Sequence, residues 1–415
     1  MNDDNVIKKS SLWSLLFCGF TLILSFTFIN IGQGLLSFQN HLGNSGLKKG
    51  SHVGFIETAD IVTGLLFLPF WGALSYKFGR QNILLCGYMI MGIALIAYPS
   101  STSTIPANFN ELFNSFVFKR CIFSVGGSAC SCMLSAIVGD VSQKKKIAKV
   151  TTLFSLFSGV GGFFGAVVIG NLNVLFEKIG IVSDKAIFLA FVINVVFVVL
   201  AAILGAIFLP YTVQKSHYTL LTDLQEVMLP KNFPCYLSSF TARMNTVLMP
   251  MFLSLMIKNE ELSMKQSSYR MTSTIHHLMY LMTAPFWGMF IKKSKSFKAA
   301  LLATLIASIG YILLYVVFDK WKWLYRCLVA FSAIGGMGVV ITSSSVLSEI
   351  SEEHNRSAFA TVFSVSGALG ILFLSQSGGF AIDKINPQIP LLITGFANLA
   401  SFMVFLFSKS SYLSQ

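Results

Sequence analysis

The feature that most constrains this chain is a series of twelve apolar segments, each close to the length that crosses a lipid bilayer. A helix needs about 20 apolar residues to span a hydrocarbon core about 30 Å thick. The segments are near 12–36, 53–75, 82–99, 112–138, 149–172, 186–209, 233–257, 269–291, 298–318, 323–348, 358–382 and 389–408. Their apolar runs are continuous, without the period of two that marks a β-barrel strand. We therefore predict an all-α integral membrane protein with twelve transmembrane helices.

The composition excludes other classes of protein. Only 11% of the 415 residues are charged, whereas a soluble domain carries about 25%. The net charge of +13 is spread over helix ends and forms no dense patch, so the expected partner is the lipid bilayer and not nucleic acid. The sequence has no phosphate-binding loop, no cluster of metal-ligand type and no nucleophile with an ordered base. We expect no cofactor, no metal and no enzymatic activity.

The longest polar interval lies almost at the midpoint of the chain, at 210–232. Its position predicts a cytoplasmic linker between an N-terminal bundle of six helices, 1–209, and a C-terminal bundle, 233–415. Lysine and arginine are more frequent in the loops that lie on the side of the N-terminus. The positive-inside rule then predicts that both termini face the cytoplasm. The sequence does not distinguish the plasma membrane from an internal membrane.

An internal repeat supports the division into two bundles. The sequence Pro-Phe-Trp-Gly occurs at 69–72 and again at 285–288, an offset of 216 (285 − 69). Two adjacent glycines followed by an acid, at 126–127 and 140, recur at 335–336 and 349, an offset of 209 (335 − 126). Equivalent segments keep the same parity, so the two halves have the same orientation in the membrane. This arrangement is a parallel repeat.

The loop between the second and third segments carries a recognisable pattern. It reads Gly-Ala-Leu-Ser-Tyr-Lys-Phe-Gly-Arg-Gln over 72–81, and in this spacing of glycines and basic residues, with the repeat and the topology, the whole chain resembles the major facilitator superfamily. The matching positions are Gly72, Leu74, Lys77, Gly79 and Arg80. Tyr76 stands where the family usually has Asp, Gln81 where it has Arg or Lys, and Lys292 takes the acid position in the equivalent loop that starts at Gly288.

The resemblance implies a function and a conformational latch. Proteins of this family are secondary transporters that work by alternating access, and such a transporter is expected to function as a monomer. The family pairs the arginine of this loop with an acid at the cytoplasmic end of helix 4, which implies a latch between Arg80 and Asp140. Glu349 is the equivalent of Asp140 in the second half, and the glycines are expected to let the helices turn tightly and approach closely.

Ionisable and polar groups inside the segments are candidates for solute binding because their insertion into a membrane is costly. Arg243 lies about ten residues into the seventh segment, roughly 15 Å along a helix and near the midplane. Asn245 is close to it in sequence. In the family, helices 1, 4, 7 and 10 line the central cavity, which adds Arg120 together with Asn30 and Gln33. A structural cross-helix bond for Arg243, and an outer, snorkelling position for Arg120, are the alternatives.

Other titratable residues are candidates for proton coupling. Glu57 and Asp60 are three residues apart and share one face of the second helix. The alternative is an acidic first turn that the helix dipole stabilises. His276 and His277 are candidates because the ordinary pKa of histidine lies near neutral pH, but adjacent residues face different directions, so a shared metal site is not expected.

Together these features predict a secondary transporter that moves a small organic solute by alternating access, with proton coupling as a further hypothesis. The alternative is a non-transporting membrane sensor or scaffold of the same fold, which is favoured by Tyr76 and Lys292 in the acid positions.

Overall fold

The computed structural model describes residues 9–38, 50–98, 109–141, 147–181, 183–209, 227–258, 266–317, 322–350 and 356–413. Within these ranges the chain forms twelve helices. They are α1 Lys9–Phe38, α2 Gly50–Phe78, α3 Arg80–Ala97, α4 Phe109–Val141, α5 (Ile147–Phe163, a π-helical turn Phe164–Ile169, and Gly170–Lys178), α6 Ser183–Phe208, α7 Phe233–Lys258, α8 Gln266–Ser294, α9 Ser296–Val317, α10 Lys322–Ile350, α11 Arg356–Lys384 and α12 Ile389–Leu413. A 3-10 turn, Pro230–Asn232, precedes α7.

Nine of these helices in the described part of the chain are long and apolar enough to cross a membrane by length and composition. The other three are α5, α7 and α8. The π-helical turn interrupts α5, so its first α-helical part has only 17 residues. Arg243 lies in α7, and adjacent histidines, His276 and His277, lie in α8. These polar groups lower the hydropathy at the places where the sequence predicts function.

The chain divides into two compact units, one of Met1–Gly46 with Ala59–Ser216 and the other of Leu47–Thr58 with His217–Gln415. The predicted linker falls largely outside the described residues, which begin again at Val227. From there the chain is fixed to the start of α7, because the Val227 carbonyl accepts hydrogen bonds from Asn232 Nδ2 at 3.0 Å and Tyr236 Oη at 2.7 Å.

The internal repeat of the sequence extends to hydrogen bonds. In the first unit, Trp71 Nε1 donates to the carbonyl of Val125 at 3.0 Å. In the second unit, Trp287 Nε1 donates to the carbonyl of Ile334 at 2.9 Å. The donors differ by 216 positions (287 − 71) and the acceptors by 209 (334 − 125), the two offsets found in the sequence. The two units therefore repeat the same packing of their second and fourth helices.

Glycines allow the first and fifth helices of each half to approach closely. A Cβ at Gly161 in α5 would collide with the main-chain carbonyl of Phe20 in α1. A Cβ at Gly370 in α11 would collide with the carbonyl of Phe240 in α7. The glycines are 209 positions apart (370 − 161) and the carbonyls 220 (240 − 20). A backbone contact this close requires glycine.

One residue with positive φ separates the second and third helices of each half. Gly79 has φ +82° between α2 and α3, and Lys295 has φ +70° between α8 and α9. The positions again differ by 216 (295 − 79). Glycine adopts this conformation readily, whereas a lysine with a Cβ is strained there. Both halves therefore have this turn, although the second half has a lysine where the first has a glycine.

Candidate functional site

Arg243 is placed by α7 with its side chain exposed, ten residues after Phe233, the first residue of the helix. Among the described residues, the structure gives its guanidinium no ion pair and no hydrogen bond. Its main-chain carbonyl accepts a bond from Thr246 Oγ1 at 2.8 Å. A guanidinium within a membrane-spanning helix is stable only where water or a polar ligand reaches it. Arg243 is therefore an exposed arginine whose guanidinium has no partner among the described residues.

Asn245 has a different environment. It is completely buried, and its amide exchanges two hydrogen bonds with Asn398 of α12, at 3.1 and 2.8 Å. Tyr280 Oη donates to its main-chain carbonyl at 3.1 Å. The first unit has a similar pair, in which Ser25 Oγ donates to Asn194 Oδ1 at 3.1 Å. Because this polar pair occurs in both halves and its amides are mutually satisfied, we leave Asn245 out of the candidate site.

Arg120 of α4 forms a buried ion pair with Asp60 of α2. Arg120 Nε and Nη2 lie 3.0 and 2.9 Å from Asp60 Oδ2, and Nη2 also donates to Asn30 Oδ1 of α1 at 2.5 Å. The two charged residues are 1% and 2% exposed. The guanidinium carbon lies 5.7 Å from the ring centroid of Phe123. The snorkelling alternative for Arg120 is therefore wrong, because an internal carboxylate pairs with its charge inside the helix bundle.

The remaining acidic candidate, Glu57, is 4% exposed and lies one turn before Asp60. Because α2 begins at Gly50, both acids lie in its second and third turns. The alternative of an acidic first turn is therefore wrong. Asp60 Oδ1 has no hydrogen-bond partner in the described structure. The side chain of Gln33 lies outside the described residues.

His276 and His277 lie side by side on α8, with ring planes at 85°. His276 is buried, its ring centroid lies 4.6 Å from that of Tyr280, and its Nδ1 has no hydrogen-bond partner in the part of the chain that is described. His277 Nδ1 lies 2.8 Å from the carbonyl of Ser273. No group of three metal-ligand residues occurs among the described residues. The two ring centroids are 5.3 Å apart.

The residues of the predicted latch have mixed environments. Gly79 makes the positive-φ turn, but Gly72 and Gly288 lie inside α2 and α8, where a Cβ would meet no atom within 4 Å. Among the described residues these two glycines have no close neighbour at that position, and their part in the latch stays a prediction. Arg80 is half-buried at the first position of α3. The side chain of Asp140 lies outside the described residues.

In the second half, the residues at the positions equivalent to Arg80 and Asp140 contact each other. Glu349 Oε1 accepts a hydrogen bond from Ser296 Oγ at 2.5 Å and a longer one from Ser296 N at 3.4 Å. Ser296 is 216 positions after Arg80 (296 − 80), and Glu349 is 209 after Asp140 (349 − 140). The end of α10 and the start of α9 are thus joined at the equivalent positions.

Comparison with known proteins identifies the family. The family model described as Major Facilitator Superfamily matches residues 15–230 and 234–413. The chain belongs to the major facilitator superfamily. The all-α fold and the resemblance predicted from the sequence are confirmed, and the chain is a multi-pass membrane protein of a transporter family and not an enzyme.

The sequences of two magnetosome proteins align with most of this chain. The magnetosome protein MamH of Paramagnetospirillum magneticum is 24% identical over 376 residues, which cover 88% of this chain and 84% of MamH. The magnetosome protein MamZ of Magnetospirillum gryphiswaldense is 22% identical over 396 residues, 92% of this chain. That alignment covers 60% of MamZ, so this chain spans about three fifths of its length.

A solved structure of the superfamily has the same fold. The proton:xylose symporter XylE bound to 6-bromo-6-deoxy-D-glucose superposes with a TM-score of 0.72 over 95% of both chains, with 13% sequence identity. At this identity the likeness establishes the fold alone.

Proposed function

We propose that this chain is a secondary transporter that moves a small organic solute by alternating access, and that Arg243 binds an anionic or polar group of the solute. The observation that carries the proposal is Arg243 in α7, an exposed residue to whose guanidinium the described structure gives no ion pair and no hydrogen bond. A guanidinium presents its donors in a planar fork, which fits a carboxylate or phosphate. This geometry favours an oxyanion as the group that Arg243 recognises.

Arg120 has a second role in this proposal. Its guanidinium is held by Asp60 and Asn30, so it is less accessible to a solute than that of Arg243. Protonation of Asp60 would remove the negative charge that holds Arg120 and would free its donors. The pair therefore supports proton coupling. Glu57 is the nearest acid on α2, Lys119 is adjacent to Arg120 on α4, and His276 and His277 remain candidates for proton coupling in the second unit.

The first experiment is a thermal-unfolding screen of the purified protein against a solute library at two pH values. A ligand at about 100 times its dissociation constant stabilises a protein by roughly 2.7 kcal/mol, which is a visible shift of the midpoint. The solute that gives a shift is then followed into proteoliposomes. We expect Arg243→Ala to raise KM at least about tenfold, as loss of a charge-assisted hydrogen bond predicts, and Arg243→Lys to restore part of the affinity.

Arg326 provides the matched control. It lies in α10, in the same unit as Arg243, and its guanidinium carbon is 5.1 Å from the ring centroid of Trp323 in the same helix. Arg326→Ala removes the same charge and is expected to leave KM unchanged. If Arg243→Ala also left KM unchanged, the solute would bind elsewhere. A folded protein that moved no solute and retained a stable protein partner would favour the sensor or scaffold function.

Proton coupling is tested separately. We expect the solute flux of the wild type to fall when the pH gradient is collapsed, and we expect Asp60→Asn to make the flux independent of that gradient. A flux that a collapsed gradient did not change would indicate facilitated diffusion.

The proposal also covers the membrane topology, the latch and the oligomeric state. Both termini face the cytoplasm, 210–232 links the two bundles, Arg80 and Asp140 form the latch, and the protein works as a monomer. Cysteine labelling from each side of sealed vesicles tests the orientation, and the mass of the detergent-solubilised protein tests the oligomeric state.

A further inference from the structure

The starting point is the contact between α7 and α11 within the second unit. Ser239 Oγ of α7 donates to the carbonyl of Phe363 at 2.6 Å, and Ser366 Oγ of α11 donates to the carbonyl of Tyr236 at 2.7 Å. The two bonds run in opposite directions across the interface. They fix the position of α7 along α11, and Arg243 follows one turn after Ser239.

Gly367 lies in α11 directly against the side chain of Arg243. A Cβ at this glycine would be 2.7 Å from Arg243 Cγ and 2.9 Å from Ser239 Oγ. Both distances are shorter than real Cβ contacts. The aliphatic part of the Arg243 side chain therefore occupies the space that the Cβ of any other residue at position 367 would need.

The internal repeat shows that this glycine is not needed for the helix contact itself. Gly370 has a glycine equivalent, Gly161, and both allow a close backbone approach. The residue equivalent to Gly367 is Ser158 (367 − 209), which carries a Cβ, and the residue equivalent to Arg243 is Ile23 (243 − 220). The half without the arginine thus makes the same helix contact without this glycine.

We propose that Gly367 is a positioning residue for Arg243, which seats the arginine stem against α11 and so directs the guanidinium toward the oxyanion of the solute. This inference rests on the proposed function. The three atoms nearest to an alanine Cβ at 367 all belong to the side chains of Arg243 and Ser239, so these side chains are displaced before the backbone is. The expected effect is therefore a loss of anion affinity with an intact fold.

The test uses phenylglyoxal, which modifies accessible arginines, on the purified full chain. Mass spectrometry follows the modification rate of Arg243, with Arg326 as the internal reference. Acetate and inorganic phosphate are titrated as protecting anions, and they distinguish a carboxylate from a phosphate preference. Gly159→Ala is the neutral control, because a Cβ there meets no described atom within 4 Å. Gly370→Ala is the control for a lost fold, because its Cβ meets a main-chain carbonyl.

We expect Gly367→Ala to keep a cooperative unfolding transition and the wild-type rate at Arg326, while the anion concentration that half-protects Arg243 rises about tenfold, as the loss of a charge-assisted hydrogen bond predicts. In the Arg243→Ala background, Gly367→Ala is expected to leave residual solute binding unchanged. Equal anion concentrations for wild type and Gly367→Ala would overturn the inference and leave the proposed function standing.

If neither anion protects Arg243 in the wild type, the oxyanion preference of the proposed function fails. The modification rate without anion then decides whether Gly367 positions the arginine. A rate that Gly367→Ala leaves unchanged would overturn the inference, whereas a changed rate at Arg243 alone would support it.

Discussion

The buried pair of Asp60 and Arg120 allows a prediction about stability that does not depend on the solute. In the wild type, Asp60 is 2% exposed and Arg120 is 1% exposed. Asp60→Leu leaves the guanidinium of Arg120 buried without its carboxylate, and Arg120→Met leaves the carboxylate of Asp60 buried without its guanidinium. The double variant leaves neither charge. We expect each single variant to be strongly destabilised and the double variant to be close to the wild type.

The magnitude follows from the geometry of the pair. Removal of one partner of a buried ion pair costs about 3–5 kcal/mol, because the other charge stays buried without compensation. Both guanidinium contacts of Arg120 go to the same oxygen, Asp60 Oδ2, so the pair lacks the two parallel bonds of the strongest arginine–carboxylate geometry. Asn30 still accepts a bond from Arg120 when Asp60 is replaced. These features place the cost of Asp60→Leu near the lower bound, about 3 kcal/mol.

Unfolding in mixed micelles, titrated with a denaturing detergent, measures these free energies as a double-mutant cycle. The control is Lys384→Met, which removes an exposed charge and is expected to change stability by less than about 0.5 kcal/mol. The reasoning would be refuted if the two single variants each cost less than about 1 kcal/mol, or if their costs simply added in the double variant.

Three further predictions use the same unfolding assay. Lys295→Gly is expected to stabilise the protein by about 0.5–1 kcal/mol, because relief of the positive φ exceeds the added entropy of glycine in the unfolded chain; a loss of stability would contradict this. Asn245→Leu and Asn398→Leu should each cost about 1–3 kcal/mol and the double variant less than their sum, with solute KM unchanged; a raised KM would return Asn245 to the site. Glu349→Ala should cost about 0.5–2 kcal/mol through loss of its bonds to the start of α9, and no further loss is expected when Ser296→Ala is added.

The helices and the repeat were predictable from the sequence because both depend on local pattern. Apolar length determines a span, and the offsets 216 and 209 recur in the hydrogen bonds of Trp71 and Trp287. The helix ends were less predictable. Polar residues outside the hydrocarbon core continue a helix as well as apolar ones do, so α2 begins at Gly50 and not at the first apolar residue.

The partners of polar side chains were not predictable from spacing along one helix. Asp60 and Arg120 are 60 positions apart, and nothing local indicates that they meet. The sequence did contain a sign that Asn245 belongs to the scaffold and not to the solute site. The 220-residue offset that relates Phe20 to Phe240 also relates Ser25 to Asn245 (245 − 25). A polar residue at the same place in both halves is typical of a structural bond.

The repeat therefore offers a way to separate scaffold from function. Where both halves make the same contact, as at Gly161 and Gly370, the contact serves the fold that both halves share. A membrane interior penalises polar groups in both halves equally, so a charge that one half carries and the other lacks needs a reason outside the shared fold. The position equivalent to Arg243 in the first half is Ile23 (243 − 23 is 220), and the position equivalent to Arg120 in the second half is Val329 (329 − 120 is 209). These two arginines are therefore the residues whose separate substitution tests the proposed function most directly.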